Sequence, residues 1–425
     1  MTTPQDNSPS GAPRPSRRGL LAAAGGLVAA VGTGRAAGAA MLEAVPAPRK
    51  LTEDFWGPHQ GGIVTPAQSY TYIAAFDLTA TKRDDVVMLL RRWTEGAARM
   101  TAGETAAPAL ATDPPGSDSD EALGLAQARL TVTFGFGAGL FEKEGKDRYG
   151  LASLRPAALV DLPRFNGDQL APARTGGDLS VQACADDPQV AFHAVRQLAR
   201  LAYDIAEMKW AQSGFQSRPV KGGTPRNLMG FKDGTHTPQE IDKVVWVAED
   251  GPAWLRGGSY VVVRRIRMAL EHWDRTNVGF QEQTMGRHKL SGAPLGLKDE
   301  FAPLGLDRTD KDENPIIPEN AHVRLANAAS NDGAEILRRG YSYNDGVNFT
   351  AERWPPWRQG MEYDAGLLFV GYQRDPRTGF IKIFENMAKF DMLNQFATHT
   401  GGGLFACPGG MRAGEFVGQR LFALT

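Results

Sequence analysis

From residue 69 onward the chain alternates two kinds of hydrophobic pattern: short runs of period two, and longer stretches with apolar residues every three or four positions. Residues 69–78 predict a strand, 83–101 a helix, 129–136 a strand and 179–185 another strand. A helix follows over 188–205, with Pro188 in the first turn, where proline is tolerated, and then a strand over 206–215. The order is β-α-β-β-α-β. The second half repeats it more in pattern than in residues. Gly258-Ser259-Tyr260-Val261-Val262-Val263-Arg264-Arg265-Ile266 opens as Tyr70-Thr71-Tyr72-Ile73-Ala74-Ala75-Phe76 does, and a helical stretch with His272 and Trp273 comes next. Gly366-Leu367-Leu368-Phe369-Val370-Gly371-Tyr372-Gln373 matches the run from Leu130 to Gly137, and a helix over 381–397 closes the half. The economical fold is α+β, two ferredoxin-like domains with antiparallel sheets over 67–250 and 251–425; one α+β domain with long insertions would give much the same string. Stretches 45–66 and 105–121, rich in Pro, Gly, Ala, Asp and Ser, read as loops.

The N-terminus carries a different signal. Polar residues 1–15 precede Ser16-Arg17-Arg18-Gly19-Leu20-Leu21, a weakly apolar run and then the small residues Ala37-Gly38-Ala39. An arginine pair, a modest apolar core and a small-residue cleavage region in that order predict a twin-arginine export signal over 1–40, with 41–66 as a lead-in. The expected partner is the twin-arginine export machinery, and the expected location periplasmic or extracellular. Since that route carries folded cargo, a cofactor inserted before export fits it. The apolar run is too short and too glycine-rich to span a bilayer, and nothing after it resembles a transmembrane segment.

Charge is nearly balanced, with Lys+Arg 47 against Asp+Glu 48, which gives no reason to expect a nucleic-acid partner or a lipid surface. Only Cys184 and Cys407 occur, so neither a disulfide scaffold nor a cysteine zinc site is expected, and whether the two pair is open.

Three motifs carry chemistry. Gly230-Phe231-Lys232-Asp233-Gly234 sets a carboxylate between glycines that permit a tight turn, though an ordinary polar turn would read the same. His322-Val323-Arg324-Leu325-Ala326-Asn327 follows Pro318-Glu319-Asn320, at a loop or its edge; His59, His193, His236, His272, His288 and His399 compete with His322 as ligands. Leu337-Arg338-Arg339-Gly340 is either a functional guanidinium or a solvated pair. An acid, an imidazole and a guanidinium are what a haem peroxidase needs: a proton shuttle, an iron ligand and a fixed positive charge.

Together with Gly-Phe-Lys-Asp-Gly-Thr, Asn-Ala-His-Val-Arg-Leu-Ala-Asn and Leu-Arg-Arg-Gly-Tyr-Ser-Tyr, the C-terminal Asp391-Met392-Leu393-Asn394-Gln395-Phe396 and Gly401-Gly402-Gly403-Leu404-Phe405-Ala406-Cys407-Pro408 complete a set. This set resembles the dye-decolourising peroxidases, from about residue 69 to the C-terminus, and most of all the exported subgroup that includes the deferrochelatase/peroxidases of ferrous-iron uptake. The resemblance implies two ferredoxin-like domains around one haem pocket with one haem b per chain. It makes His322 the iron ligand, Asp233 the distal acid/base and Arg338 the distal arginine. It places Gly234, Thr235 and His236, and Asn327, Ala328 and Ala329, at the haem edge. Asp391 is a candidate to accept the His322 ring proton, against the alternative of a helix surface carboxylate, and Arg287 a candidate to meet a haem propionate, against that of an ordinary basic loop. Hydrogen peroxide and small-molecule electron donors such as dyes and phenols are the implied substrates, with possible iron-uptake partners and a homo-oligomeric assembly. Aspartates are ordinarily ionised above about pH 4, so an acidic activity optimum is expected. Two alternative functions share the pocket: a deferrochelatase that removes iron and leaves the porphyrin intact, and a non-catalytic haem-binding protein.

The sequence departs from the pattern twice. Ala328-Ala329-Ser330 stand where relatives usually have Pro-Arg after Leu-Ala-Asn, and His236 stands where a small residue is commoner. Trp354, Trp357, Tyr341 and Tyr343 are candidates for relaying electrons to bulky dyes, or are core aromatics.

Overall fold

Alternation along the first strand, Tyr70–Leu78, sends Ile73 and Ala75 into one hydrophobic core and Ala74, Phe76 and Leu78 into another. The strand can serve two cores because it lies inside a sheet covered on both faces. The computed structural model describes residues 52–108, 118–220, 222–351 and 359–424. Residues 1–40, read above as an export signal, and the tryptophans Trp354 and Trp357 lie outside the described residues.

Nine strands occur among these residues: β1 (Tyr70–Leu78), β2 (Thr131–Phe136), β3 (Leu179–Ala185), β4 (Ala206–Phe215), β5 (Ser259–Met268), β6 (Leu337–Arg338), β7 (Tyr341–Ala351), β8 (Gln359–Gln373) and β9 (Ala397–Cys407). They form one sheet in the order β5-β9-β2-β3-β1-β4-β7-β8-β6, and β5 also pairs with β8. The sheet therefore closes on itself, with β6 as a short extra strand on β8. The described residues from 52 onward make a single compact unit. All strand pairings are antiparallel, and with the helices they make the fold α+β. The first four strands are adjacent in the order β2-β3-β1-β4, and the later ones in the order β7-β8-β5-β9. The two sets meet at narrow seams: β2 joins β9 through Phe136↔Ala406, and β4 joins β7 through Phe215↔Ser342.

Inside the closed sheet lie Ile73, Val261, Val263, Tyr341, Tyr343, Leu368, Val370 and Phe405. Tyr341 and Tyr343 are thus core aromatics, at 1 % and 0 % exposure. Cys184 and Cys407 are buried free thiols. Outside the first four strands, helices α1 (Arg83–Thr101) and α2 (Pro188–Leu201) pack together over Phe76 and Phe134. Trp93 of α1 donates its indole N–H to Leu198 O of α2 at 2.7 Å. Helix α2 starts where it does because Asp187 accepts hydrogen bonds from Gln189 N and Val190 N, at 2.7 and 3.1 Å, while Pro188 fills the first helical position. Asp187→Ala is expected to cost about 1 kcal/mol in a denaturant titration; an unchanged midpoint would mean that Pro188 alone sets the helix start.

Two expectations need correction. The helix read over 381–397 ends at Phe390: α5 (Phe380–Phe390) gives way to a 3-10 turn, Met392–Gln395, which Asp391 caps by accepting from Leu393 N at 2.8 Å. Residue 397 already belongs to β9. The strand ending at Gln373 is the third of its set, flanked by β7 and β5 as β3 is flanked by β2 and β1, so it does not correspond to β2. Among the described residues no helix is long and apolar enough to cross a membrane.

Candidate active site

Between β5 and β7 the chain makes a long excursion, where the connection from β1 to β2 is built on α1. The excursion includes α3 (Val278–Met285), the loops around residues 287–307, and the single turn α4 (His322–Leu325). With α5 and the outer face of β5 and β8, it encloses a cavity of about 880 Å³. That volume lies within the usual range for small-molecule and cofactor sites. Strand alternation builds the floor: while Leu368 and Val370 point into the closed sheet, Leu367 and Phe369 line the cavity, joined by Ile266 from β5 and by Phe384 and Met387 from α5.

All eleven residues singled out in the sequence line this cavity: Asp233, Gly234, Thr235, His236, Arg287, His322, Asn327, Ala328, Ala329, Arg338 and Asp391. Asp233 stands on a loop hinged at Gly230 and Gly234, with φ of 85° and 106°, values that favour glycine. Beneath the loop Phe231 and Met229 pack with Trp273, whose indole N–H donates to Met229 O at 3.0 Å. Arg338, on β6, donates from Nη1 to Asp233 Oδ1 at 2.9 Å. Oδ2 of Asp233 has no protein partner among the described residues.

His322 begins α4 rather than lying in a loop, and its Nδ1 is 2.7 Å from Asp391 Oδ2. Asp391 is 5 % exposed, which removes the alternative of a helix surface carboxylate. Burial disfavours the charged imidazole, but the Asp391 carboxylate outweighs that effect and raises the ring's pKa above the ordinary histidine value. With Nδ1 committed to Asp391, Nε2 is the nitrogen left for a ligand. The competing histidines have other employment. His59 stacks on Trp246 and contacts Gly257 O, His193 lies between Asp118 and Glu121, His288 meets Glu282, and His272 is exposed on a short helix. The Asp118, Glu121 and His193 group has metal-like spacing, but both ring nitrogens of His193 face carboxylates and both Asp118 oxygens accept backbone N–H groups. It ties the segment around residues 118–121 to α2.

His236 lines the cavity with a largely exposed side chain and reaches Glu335 Oε1 at 3.1 Å. Arg287 uses one nitrogen on the carbonyls of Gly292 and Glu300, at 2.7 and 3.0 Å. Asn327 caps the 3-10 turn Ala328–Asn331 by accepting from Ala329 N at 2.9 Å, so the departure from Pro-Arg leaves a closed, capped turn at this wall.

Sequence reasoning missed the apolar walls and Glu300, and left His399, which also lines the cavity, as one of several competing histidines. Glu300 was not legible, because its loop has no periodicity. His399 is 9 % exposed; its Nδ1 has no hydrogen-bond partner, and it lies against Phe384. Burial, and then the charge of the buried Arg264, push its pKa down to about 3. A depressed histidine pKa means that the unfolded chain binds a proton the folded one refuses. Its effect is absent above the ordinary value near 6.5, and stability falls as pH drops from there towards 3. His399→Phe is therefore expected to flatten the acid limb of a melting-temperature-against-pH curve below about pH 6 while leaving the plateau near pH 8 within a few degrees. An acid limb of unchanged slope would exclude His399 as its source.

Comparison with known proteins agrees over most of the chain. Residues 60–216 match the family profile "Dyp-type peroxidase, N-terminal" and residues 224–412 match "Dyp-type peroxidase, C-terminal". The dye-decolorizing peroxidase of Thermobifida fusca is 38 % identical over 96 % of this chain and 97 % of its own length. A protein named deferrochelatase from Escherichia coli K12 is 36 % identical over 97 % and 98 %. Among solved structures, ferric DtpA from Streptomyces lividans is 42 % identical with a TM-score of 0.78, covering 88 % of this chain and 97 % of that one. A DyP-type peroxidase from Cellulomonas bogoriensis is 39 % identical with a TM-score of 0.77, covering 87 % and 98 %.

Proposed function

The chain belongs to the Dyp-type peroxidase family, haem-dependent enzymes that reduce hydrogen peroxide with small electron donors, and on that premise we propose that His322 ligates the iron of a haem b while Asp233 and Arg338 act on the peroxide. The observation that carries the ligand assignment is the 2.7 Å contact between His322 Nδ1 and Asp391. A metal-binding imidazole almost always donates its second N–H to such an acceptor, and a carboxylate makes the ring more electron-rich. The chain also fits the group: a flat apolar macrocycle suits the walls of Ile266, Leu367, Phe369, Phe384 and Met387. Arg287 would meet a propionate, and Gly234, Thr235, His236, Asn327, Ala328 and Ala329 would lie along the edge.

A haem held there would supply the redox chemistry that couples peroxide reduction to one-electron oxidation of dyes, phenols or other donors. Asp233 would take the proton of one peroxide oxygen on Oδ2 and return it to the other. Arg338, 2.9 Å from Oδ1, would hold the carboxylate in place and offset negative charge as the O–O bond breaks. Rapid mixing of the haem-loaded protein with one equivalent of hydrogen peroxide near pH 4 to 5 tests this. A Soret band that changes within the mixing experiment and returns on adding a reducing dye is expected; a haem-loaded protein inert to peroxide would overturn it.

A deferrochelatase activity uses the same pocket and is favoured by the relatives that carry that name. Its signature would be free protoporphyrin appearing with haem and no peroxide, and its absence would count against it. The non-catalytic alternative lapses, since the relatives are named as enzymes. We further read the strand orders β2-β3-β1-β4 and β7-β8-β5-β9 as two ferredoxin-like units over 67–250 and 251–425, fused into one closed sheet. Export by the twin-arginine route rests on Arg17-Arg18 and the segment after them. Mature protein that retains residues 1–40 would exclude it.

A further inference from the structure

Asp233 needs more than Arg338 to stand where peroxide can meet it, because its loop turns on two glycines and has no helix or strand of its own. Both neighbours of the Asp233-Gly234 pair are tied to one side chain. Lys232 Nζ donates to Glu300 Oε2, and Thr235 Oγ1 donates to Glu300 Oε1 at 3.2 Å. Glu300 also takes a hydrogen bond from the Thr224 side chain. The glutamate is itself anchored, since Arg287 Nη1 donates to its backbone carbonyl at 3.0 Å and its side chain is 10 % exposed. Gly292, at φ 77°, leaves the space that the Lys232 stem occupies: a Cβ there would come within 2.6 Å of that stem and 3.4 Å of the Glu300 Cγ.

Two further ties hold the loop from behind. Arg226 donates to Gly230 O at 2.7 Å and to the carbonyls of Lys289 and Leu290, and Asp233 N donates to Pro225 O at 2.9 Å. Of these contacts, the ones to Glu300 alone grip the loop on both sides of the carboxylate.

We propose that Glu300 is a positioning residue for Asp233: it clamps residues 232 and 235 so that the intervening carboxylate is held against Arg338 at the cavity. The proposal rests on the role assigned to Asp233 above. Glu300 also keeps the Lys232 ammonium, the immediate neighbour of Asp233, occupied elsewhere, which leaves Arg338 as the cation paired with Asp233. The Glu300 carboxyl suits this task at acid pH. Burial acts to raise its pKa, but the hydrogen bonds from Lys232, Thr224 and Thr235 outweigh it and hold the carboxyl below the usual glutamate range.

A misplacement of about 1 Å at a reacting group can cost on the order of a hundredfold in rate. Haem-loaded Glu300→Ala is therefore expected to react with hydrogen peroxide about ten- to a hundredfold more slowly in a stopped-flow single turnover, while dye oxidation after the peroxide step keeps its parental rate. Glu300→Gln, which keeps an acceptor for both ties, is expected to recover most of the loss. The discriminating measurement is a double-mutant cycle with Asp233→Asn. If Glu300 acts through Asp233, adding Glu300→Ala to Asp233→Asn slows the peroxide step no further, whereas an independent or merely structural effect adds in full. Hydrogen exchange in the haem-free protein supplies a second readout: the Asp233 amide should lose protection in Glu300→Ala while amides of β5 and β8 keep theirs.

A parental peroxide rate in Glu300→Ala, or additive effects in the cycle, would overturn the proposal. If Asp233→Asn itself reacts at the parental rate, the failure lies with the Asp233 assignment instead. Should Glu300→Ala not accumulate as haem-loaded protein, Lys232→Met, which removes one arm of the clamp, enters the same cycle with the same criteria.

Discussion

His322→Ala is expected to lose stably bound haem. The imidazole is the group in the cavity that combines a free ring nitrogen with a fixed orientation, since Asp391 Oδ2 holds Nδ1 at 2.7 Å and Asp391 is locked as the cap of the following turn. Removing the ring takes away the iron ligand and leaves the carboxylate buried without its partner. Loss of the second-sphere carboxylate alone weakens metal sites by about ten- to a hundredfold, so loss of the ligand itself should exceed that. Haem titration followed at the Soret band measures it, with Asp391→Asn as the intermediate case. Added imidazole should partly restore binding to His322→Ala by entering the space the side chain vacates. Parental haem content and spectrum in the variant would move the ligand role to His399 or His236, the other histidines that line the cavity.

Asp233→Asn is expected to keep its haem and to slow the reaction with peroxide by about 10²- to 10⁴-fold, the usual contribution of a positioned acid–base group. The amide can still accept from Arg338 Nη1 and occupies almost the same volume, so the change isolates proton transfer from packing. In stopped flow the loss should fall on the second-order step with peroxide and leave the later oxidation of a dye unaffected. A parental rate would leave Arg338 as the group that carries cleavage. Arg338→Leu is the complementary case, since it removes the cation while leaving a carboxylate able to exchange a proton.

Some parts of this architecture could be read from the chain because their signals are local. The helix over 83–101 and the strands over 179–185 and 206–215 have the expected ends, where hydrophobic periodicity is strong and flanking residues such as Asp187 and Pro188 punctuate it. β9 escaped notice because its Thr-His-Thr-Gly-Gly-Gly run has little alternation. Glycine is required there by neighbours distant in sequence: a Cβ on Gly402 would fall 1.9 Å from Val263 O on β5. The same close approach hides ring closure, because the two partners of β5, β8 and β9, lie more than ninety residues beyond it. At the site, Asp233, His322 and Arg338 were legible because they sit in unusual local strings. Ile266 and Phe384 were not, since what recruits them is the outer face of a sheet that the sequence does not announce, and Glu300 was not because it sits in a loop without periodicity.

The closed sheet also bears on how such a chain avoids sticking to itself. Taken alone, the first four strands would expose β2 and β4 as bare edges, and the later set would expose β7 and β9. Bare edges of this kind are templates for pairing with other chains. Joined at Phe136↔Ala406 and Phe215↔Ser342, each half shields the other's edges through only one residue pair per seam. Those two narrow contacts add little hydrogen bonding, yet they set the open edges of each half-sheet next to those of the other. A polypeptide cut in the connection after β4 should therefore yield halves that seek each other or precipitate, rather than two soluble domains.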